Sequence, residues 1–175
     1  HSQSWHNGRT TTATAPCMSR GSRDRQGLLI WMSHACWPSM TWQCYDYYFE
    51  PTAAFFGCKK ACEPLHIQWN ASTRNVEVVN LCAGDRKNLT AKVELTDAKG
   101  RTVKTMQATV NSNDDSTVVP EGLHVDDKVS LNGGNVYFIR LWLNDESGRT
   151  LSQNFYVASN DEATSRSSTL CRRWL

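Results

Sequence analysis

Residues 89–95 read Leu-Thr-Ala-Lys-Val-Glu-Leu, and residues 137–143 read Tyr-Phe-Ile-Arg-Leu-Trp-Leu. In the first, Leu89, Ala91, Val93 and Leu95 alternate with polar neighbours. That is the period of a strand with one face in a core and the other in water. In the second, Tyr137, Ile139, Leu141 and Leu143 form a uniformly apolar face. Phe138, Arg140 and Trp142 form the opposite one, and Arg140 is costly to bury unpaired. Leu141 is therefore expected in the core and Trp142 outside it.

Turn signals extend the pattern in both directions. Asp97-Ala-Lys-Gly100 and Asp145-Glu-Ser-Gly148 end the two runs, and returning strands are expected at 101–110 and 150–157. Upstream, residues 66–70 and 75–80 flank Ala71-Ser-Thr-Arg74, which reads as a hairpin turn. Roughly seven short strands over about 90 residues is the pattern of an immunoglobulin-like β-sandwich.

The segment before the strands has another texture. Residues 27–32, Gly-Leu-Leu-Ile-Trp-Met, are continuously apolar, as suits a strand buried on both faces. Ser39 can cap a helix running through Phe49, and Thr52 a second one through Cys62. Glu50-Pro51 separates them, because a residue before proline avoids the helical region. Asp46 and Glu50 then share a helix face, as a solvated or capping pair. Strand, loop and helix make one βα unit, and one unit cannot close a barrel.

Composition narrows the function classes. Hydrophobic residues are 39% and charged residues 21% of 175, a globular balance. A net charge of +2 gives no reason to expect a nucleic-acid or membrane-surface partner. The seven cysteines are odd in number and irregular in spacing, which argues against a disulfide framework. Only Cys58 and Cys62 lie close together, too few for a zinc site, so free, buried thiols and no metal are expected. Residues 1–26 carry no apolar period and no signal-peptide core; they read as a disordered or non-family segment, and 159–175 as a disordered tail. Asn70-Ala-Ser72 and Asn88-Leu-Thr90 match the N-glycosylation acceptor tripeptide. His6 and His124 show no partner in the sequence.

Residues 27–69, GLLIWMSHACWPSMTWQCYDYYFEPTAAFFGCKKACEPLHIQW, resemble the end of the catalytic barrel in glycoside hydrolase family 2, in its exo-β-glucosaminidases and related β-mannosidases. The residues that carry the resemblance are Trp31-Met32, Trp37-Pro-Ser39, Tyr45-Asp-Tyr-Tyr48 and residues 59–68. It continues through 76–80 and Asn154-Phe-Tyr156. Family members have polar residues at the place of Ile30 and an Asn pair near His34 and Ala35, where this chain departs.

The resemblance implies a mainly β chain: an immunoglobulin-like sandwich over 65–158, preceded at 27–64 by the last βα unit of a (β/α)8 barrel. Residues 27–32 become the eighth barrel strand. Barrel sites lie at the carboxyl ends of strands, so Trp31, His34 and Trp37 are implied to rim a sugar pocket. Retaining glycosidases need two carboxylates about 5–5.5 Å apart. In family members both are glutamates upstream of the matching region, so no catalytic residue, metal or cofactor is expected in this chain. The implied function is that of a carboxy-terminal fragment of a retaining enzyme, an exo-β-D-glucosaminidase acting on chitosan-type oligosaccharides. The alternatives are a β-mannosidase-type fragment or a free-standing sandwich that binds carbohydrate or protein. The sugar is a partner only in the context of a full barrel, whose remaining part is the implied packing partner. Compartment stays open, although relatives are often secreted.

Overall fold

The computed structural model describes residues 32–38 and 43–160. Gly27 to Trp31, the segments 1–26 and 161–175, and the start of the helix expected after Ser39 lie outside the described residues. Between Glu63 and Pro64 the chain divides into two compact units.

The second unit holds seven strands: β1 (Leu65–Trp69), β2 (Val76–Asn80), β3 (Arg86–Asp97), β4 (Thr102–Ser112), β5 (Ser116–Val118), β6 (Val136–Asn144) and β7 (Thr150–Ser159). They form two antiparallel sheets, ordered β1-β2-β5 and β4-β3-β6-β7. In an immunoglobulin constant-type sandwich the fourth strand joins the first sheet. Here β4 stays on β3 through a long hairpin that aligns Ala91 with Ala108 and Val93 with Met106.

Period-two patterning sets the register. Leu89, Ala91, Val93 and Leu95 of β3 are buried, as are Tyr137, Ile139, Leu141 and Leu143 of β6. Val93 stands opposite Leu141 and Leu95 opposite Ile139, so the two apolar stripes lie side by side on one face. A one-residue slip of either strand would turn its apolar stripe into water, which makes the register strongly specified. Trp142 lies on the other face, half-buried, with the Lys92 ammonium 5.3 Å from its ring centroid. Arg140 is exposed beside it.

The 17-residue connection from β5 to β6 also enters the core. Leu123, Val125 and Val129 are buried in it without forming a strand. It is pinned by backbone bonds from Val76 N–H to Leu123 O and from Val125 N–H to Arg74 O, both 3.0 Å. His124 bonds Asn75 Oδ1 through Nδ1 at 2.9 Å, so it does have a partner. Arg74 ties the same connection down. Its guanidinium pairs with Asp127 at 2.9 Å and donates to the hydroxyl of buried Tyr137 at 3.3 Å. Burial pushes the Tyr137 phenol up from its ordinary value, and the Arg74 charge pulls the other way.

Polar residues are also enclosed in β1 and β2. Glu77 is 6% exposed, and its carboxylate accepts from Gln68 Nε2 and Asn70 Nδ2, each at 2.8 Å. A carboxylate removed from water needs such donors.

Two of the turns are built alike. Asp97 N–H donates to Arg101 O and Gly100 N–H to Asp97 O; Asp145, Arg149 and Gly148 repeat both bonds. In each turn one aspartate oxygen accepts the N–H groups two and four residues on, at 2.8–3.0 Å. Gly100 and Gly148 take φ of 79° and 82°, a left-handed geometry that glycine enters without a Cβ clash. The backbone N–H of Arg101 leads the causes that hold the Asp97 carboxyl below its ordinary value, and its guanidinium adds to them.

Two outcomes follow for residues 64–160 expressed alone. Leu141→Ala should cost about 2–5 kcal/mol, the range for a leucine truncated in a core, and Trp142→Ala clearly less. Denaturant melts compare them, and a more damaging Trp142→Ala would mean that the faces of β6 are reversed. Asp97 has a depressed folded pKa, so its contribution is complete above the unfolded value of about 4 and is lost as pH falls through the lower folded value. Asp97→Asn should flatten that acid limb in melts recorded from pH 6 to pH 2; an unchanged limb refutes the assignment.

Candidate functional site

In the first unit Thr52 organises the backbone. It is the N-cap of helix α1 (Ala53–Ala61), and its Oγ1 accepts from Ala54 N–H. The same hydroxyl donates to Gln43 O at 2.6 Å, and Thr52 N–H bonds Cys44 O at 2.9 Å. One side chain thus starts the helix and anchors the loop before it. Lys59 and Lys60 occupy the last turn, where positive charge favours the helix dipole. Tyr45 bridges His34 on one side and Pro51 on the other.

The helix expected through Phe49 does not form in the described part of that segment, residues 43–50. Asp46 is the reason. Its Oδ1 accepts from Tyr48 N–H at 2.8 Å and Glu50 N–H at 2.9 Å. Asp46 N–H bonds Glu50 O, and Phe49 N–H bonds Asp46 O. A side chain that takes the N–H groups of its own neighbours offers the backbone an alternative to helix. The bonds are those of the turns at Asp97 and Asp145, but Phe49 stands where they have glycine, at φ 65°. Left-handed geometry costs a residue with a Cβ about 1–2 kcal/mol. For a bulky side chain it is a true outlier, of the kind that gathers at functional sites.

The Phe49 ring has a defined place. It stacks on His34, centroids 4.2 Å apart and planes within 17°. His34 Nε2 lies 3.3 Å from Tyr47 O, an approach that requires the Nε2–H tautomer. Tyr47 and Tyr48 meet edge to face at 5.2 Å. The result is an aromatic shelf of His34, Tyr47, Tyr48 and Phe49, with Tyr48 70% and Phe49 72% exposed.

Among the proposed rim residues, His34 belongs to this shelf. Trp37 is 66% exposed and has no ring partner among the described residues. Trp31 lies outside them. Phe49, Tyr47 and Tyr48 were not among the rim residues expected from the sequence. The signal available was the likeness of Asp46-x-x-Phe49-Glu50 to the two Asp-x-x-Gly-Arg turns, with an aromatic residue in the glycine position.

The chemistry within reach is limited. Asp46 Oδ1 is engaged by the N–H groups of Tyr48 and Glu50, so its part in the Asp46/Glu50 pair is to close a turn. Burial, together with neighbouring Cys44 and Cys62, pushes the Cys58 thiol up to about 11. At neutral pH it stays protonated, a poor nucleophile and metal ligand. No group of three or more His, Cys, Asp or Glu side chains among the described residues is placed to hold a metal ion. The five described cysteines are free, but Cys36, Cys62 and Cys82 are exposed, which corrects the expectation of buried thiols. Each sits in a loop or at a helix end, where no core is available to take it. No described helix is long and apolar enough to cross a membrane. What the shelf can do is stack: exposed ring faces suit the C–H faces of sugars, or another apolar surface.

No protein-family model matches the chain. An exo-β-D-glucosaminidase of Streptomyces avermitilis is 35% identical over 142 residues, which is 79% of this chain and 15% of that protein. The mannosylglycoprotein endo-β-mannosidase of Lilium longiflorum is 33% identical over 74% of this chain and 14% of its own length. Among solved structures, the exo-chitosanase of Amycolatopsis orientalis superposes with a TM-score of 0.73 at 26% identity, covering 91% of this chain and 19% of that one. The chain thus spans about 15% of the length of the curated relatives it matches. The chain is thus similar to one part of exo-β-D-glucosaminidases and of an endo-β-mannosidase.

The Phe49 backbone can be tested by two truncations. Phe49→Ala and Phe49→Gly both remove the ring, but only glycine relieves the left-handed strain. Phe49→Gly should therefore be the more stable of the two by about 1 kcal/mol in thermal melts of the whole chain. Equal stabilities would mean that Phe49 is not left-handed in solution.

Proposed function

We propose that this exo-β-D-glucosaminidase-like chain works as the carboxy-terminal part of a retaining family 2 glycosidase, its sandwich serving as an accessory domain. The observation that carries the reading is the pattern of burial in the described part of the first unit. Its buried hydrophobic residues, among those described, are Ala35, Ala54 and Ala61 only. Trp37, Tyr47, Tyr48, Phe49 and Phe56 are all exposed. A free-standing domain does not leave its large apolar side chains out and bury only alanines. Such a segment is suited to complete a larger body, and the share of the relatives that this chain does not span supplies one.

On this reading the substrate is a chitosan-type oligosaccharide, and His34 and Trp37, with Trp31, present aromatic faces to its sugar ring. The two carboxylates that retaining chemistry needs come from the remainder of the barrel. No cofactor enters. A β-mannosidase-type specificity is the second reading, supported by the likeness to the Lilium longiflorum endo-β-mannosidase.

Two experiments test this. The 175-residue chain alone should not turn over p-nitrophenyl β-glucosaminide or β-mannoside; turnover abolished by a substitution within the chain would overturn the proposal. A chimera of the Amycolatopsis orientalis exo-chitosanase, with its matching stretch replaced by this chain, should be active. In it Trp37→Ala should raise KM several-fold with little change in kcat, and the preferred sugar decides between the two readings. A folded chimera without activity on either substrate counts against both.

A further inference from the structure

Two tripeptides in the second unit satisfy the N-glycosylation acceptor pattern, Asn70-Ala-Ser72 and Asn88-Leu-Thr90, and the pattern alone admits both. Their surroundings in the fold differ in every respect that matters to a bulky substituent on the carboxamide nitrogen.

Asn70 is committed at both ends. Its Nδ2 donates to Glu77 Oε1 at 2.8 Å, and its Oδ1 accepts from Ser72 N–H at 3.0 Å. The residue is half-buried, and the carboxylate it feeds is almost wholly enclosed. A sugar on this nitrogen would put a large polar ring against Glu77 and disturb one of its two donors. A buried carboxylate that loses a donor is strongly disfavoured.

Asn88 is the opposite case. The β3–β4 ladder runs from Arg86 opposite Ser112 to Leu89 opposite Val110, with a register shift between them. Asn88 falls in that irregularity, at φ 52°, a left-handed geometry that asparagine tolerates well. The bulge turns it outward, and it is exposed. Its own N–H is held by Asn111 Oδ1 at 2.8 Å, so the backbone stays in place whatever the side chain carries. The carboxamide nitrogen bonds the exposed Glu146 carboxylate, and water can replace so exposed a partner at little cost. Thr90, the hydroxyl residue of the tripeptide, is two residues on in the regular part of β3.

We propose that Asn88 is a site for an N-linked glycan and that Asn70, which also meets the acceptor pattern, is not. The donor class is a lipid-pyrophosphate-linked oligosaccharide. The Asn88 nitrogen forms a bond to the anomeric carbon, the bond from that carbon to the pyrophosphate oxygen breaks, and one amide proton is released. The glycan would stand at the end of the sandwich where the β6–β7 turn also lies.

The test sends the full chain, behind a cleavable secretion leader, through a eukaryotic secretory pathway. Occupancy is read by peptide mass spectrometry on all leader-free chain, secreted or retained. Glycan is expected on Asn88 and not on Asn70 in the secreted protein. Asn88→Gln and Thr90→Ala should each abolish the glycosidase-sensitive mobility shift, and Asn70→Gln should leave it intact. Any chain with glycan on Asn70 should be found retained. Secreted protein with glycan on Asn70, or with Asn88 bare, overturns the proposal.

Discussion

The free edge of β1 is where the sandwich would come open, and three side chains of β7 close it. β1 pairs with β2 on one side only. On the other side, Ile67 N–H donates to Ser152 Oγ, and Trp69 N–H donates to the Tyr156 hydroxyl, both at 3.3 Å. Asn154 Nδ2 donates to Ile67 O at 3.2 Å and to the Tyr156 hydroxyl at 2.9 Å. An unpaired strand edge invites pairing with another chain, and a buried backbone group without a partner is costly. The clip answers both problems and spans 85 or more residues of sequence. It also gives the Asn154-Phe-Tyr156 motif a structural meaning, since alternate residues of β7 reach across to the other sheet. Burial raises the Tyr156 phenol well above its ordinary range, so this hydroxyl keeps its proton and the clip does not titrate in ordinary buffers.

The aspartate-closed turn is used three times with different consequences. At 97–101 and 145–149 it joins neighbouring strands and places a glycine where the backbone turns left-handed. At 46–50 the same bonds hold a phenylalanine there. The two sandwich turns are unstrained connectors. The third accepts strain to present an aromatic ring next to His34. Strain of that kind persists only where surrounding bonds over-determine the backbone, and here four hydrogen bonds around Asp46 do so.

The two units therefore differ in how they are held. The sandwich has a continuous apolar core shared by both sheets and the β5–β6 connection. The described part of the first unit is held by caps, turns and ring stacking, with Trp37, Tyr47, Tyr48, Phe49 and Phe56 exposed. That contrast is the physical difference between the two units.

Some of this was legible residue by residue. The stripes of β3 and β6 announce their faces, because a strand with one wet side must alternate. Thr52 announces its helix, because a cap acts on the adjacent N–H groups. Asp-x-x-Gly announces a turn for the same local reason. The resemblance of residues 27–69 pointed to the family before any geometry was known. The rest depended on meetings that sequence spacing does not encode. Helix spacing of Asp46 and Glu50 was compatible with two backbones, and the bonds around Asp46 chose the turn. Leu123 and Val125 look like loop residues until the core of the sandwich takes them in. The β7 clip joins residues far apart in the chain, and the half-buried setting of Asn70 and the exposed one of Asn88 appear only in the fold. Local periodicity and capping act over a few residues and can be read from order alone. Which edge is closed, which aromatic ring stays in water and which carboxamide is occupied are set by distant segments meeting in space.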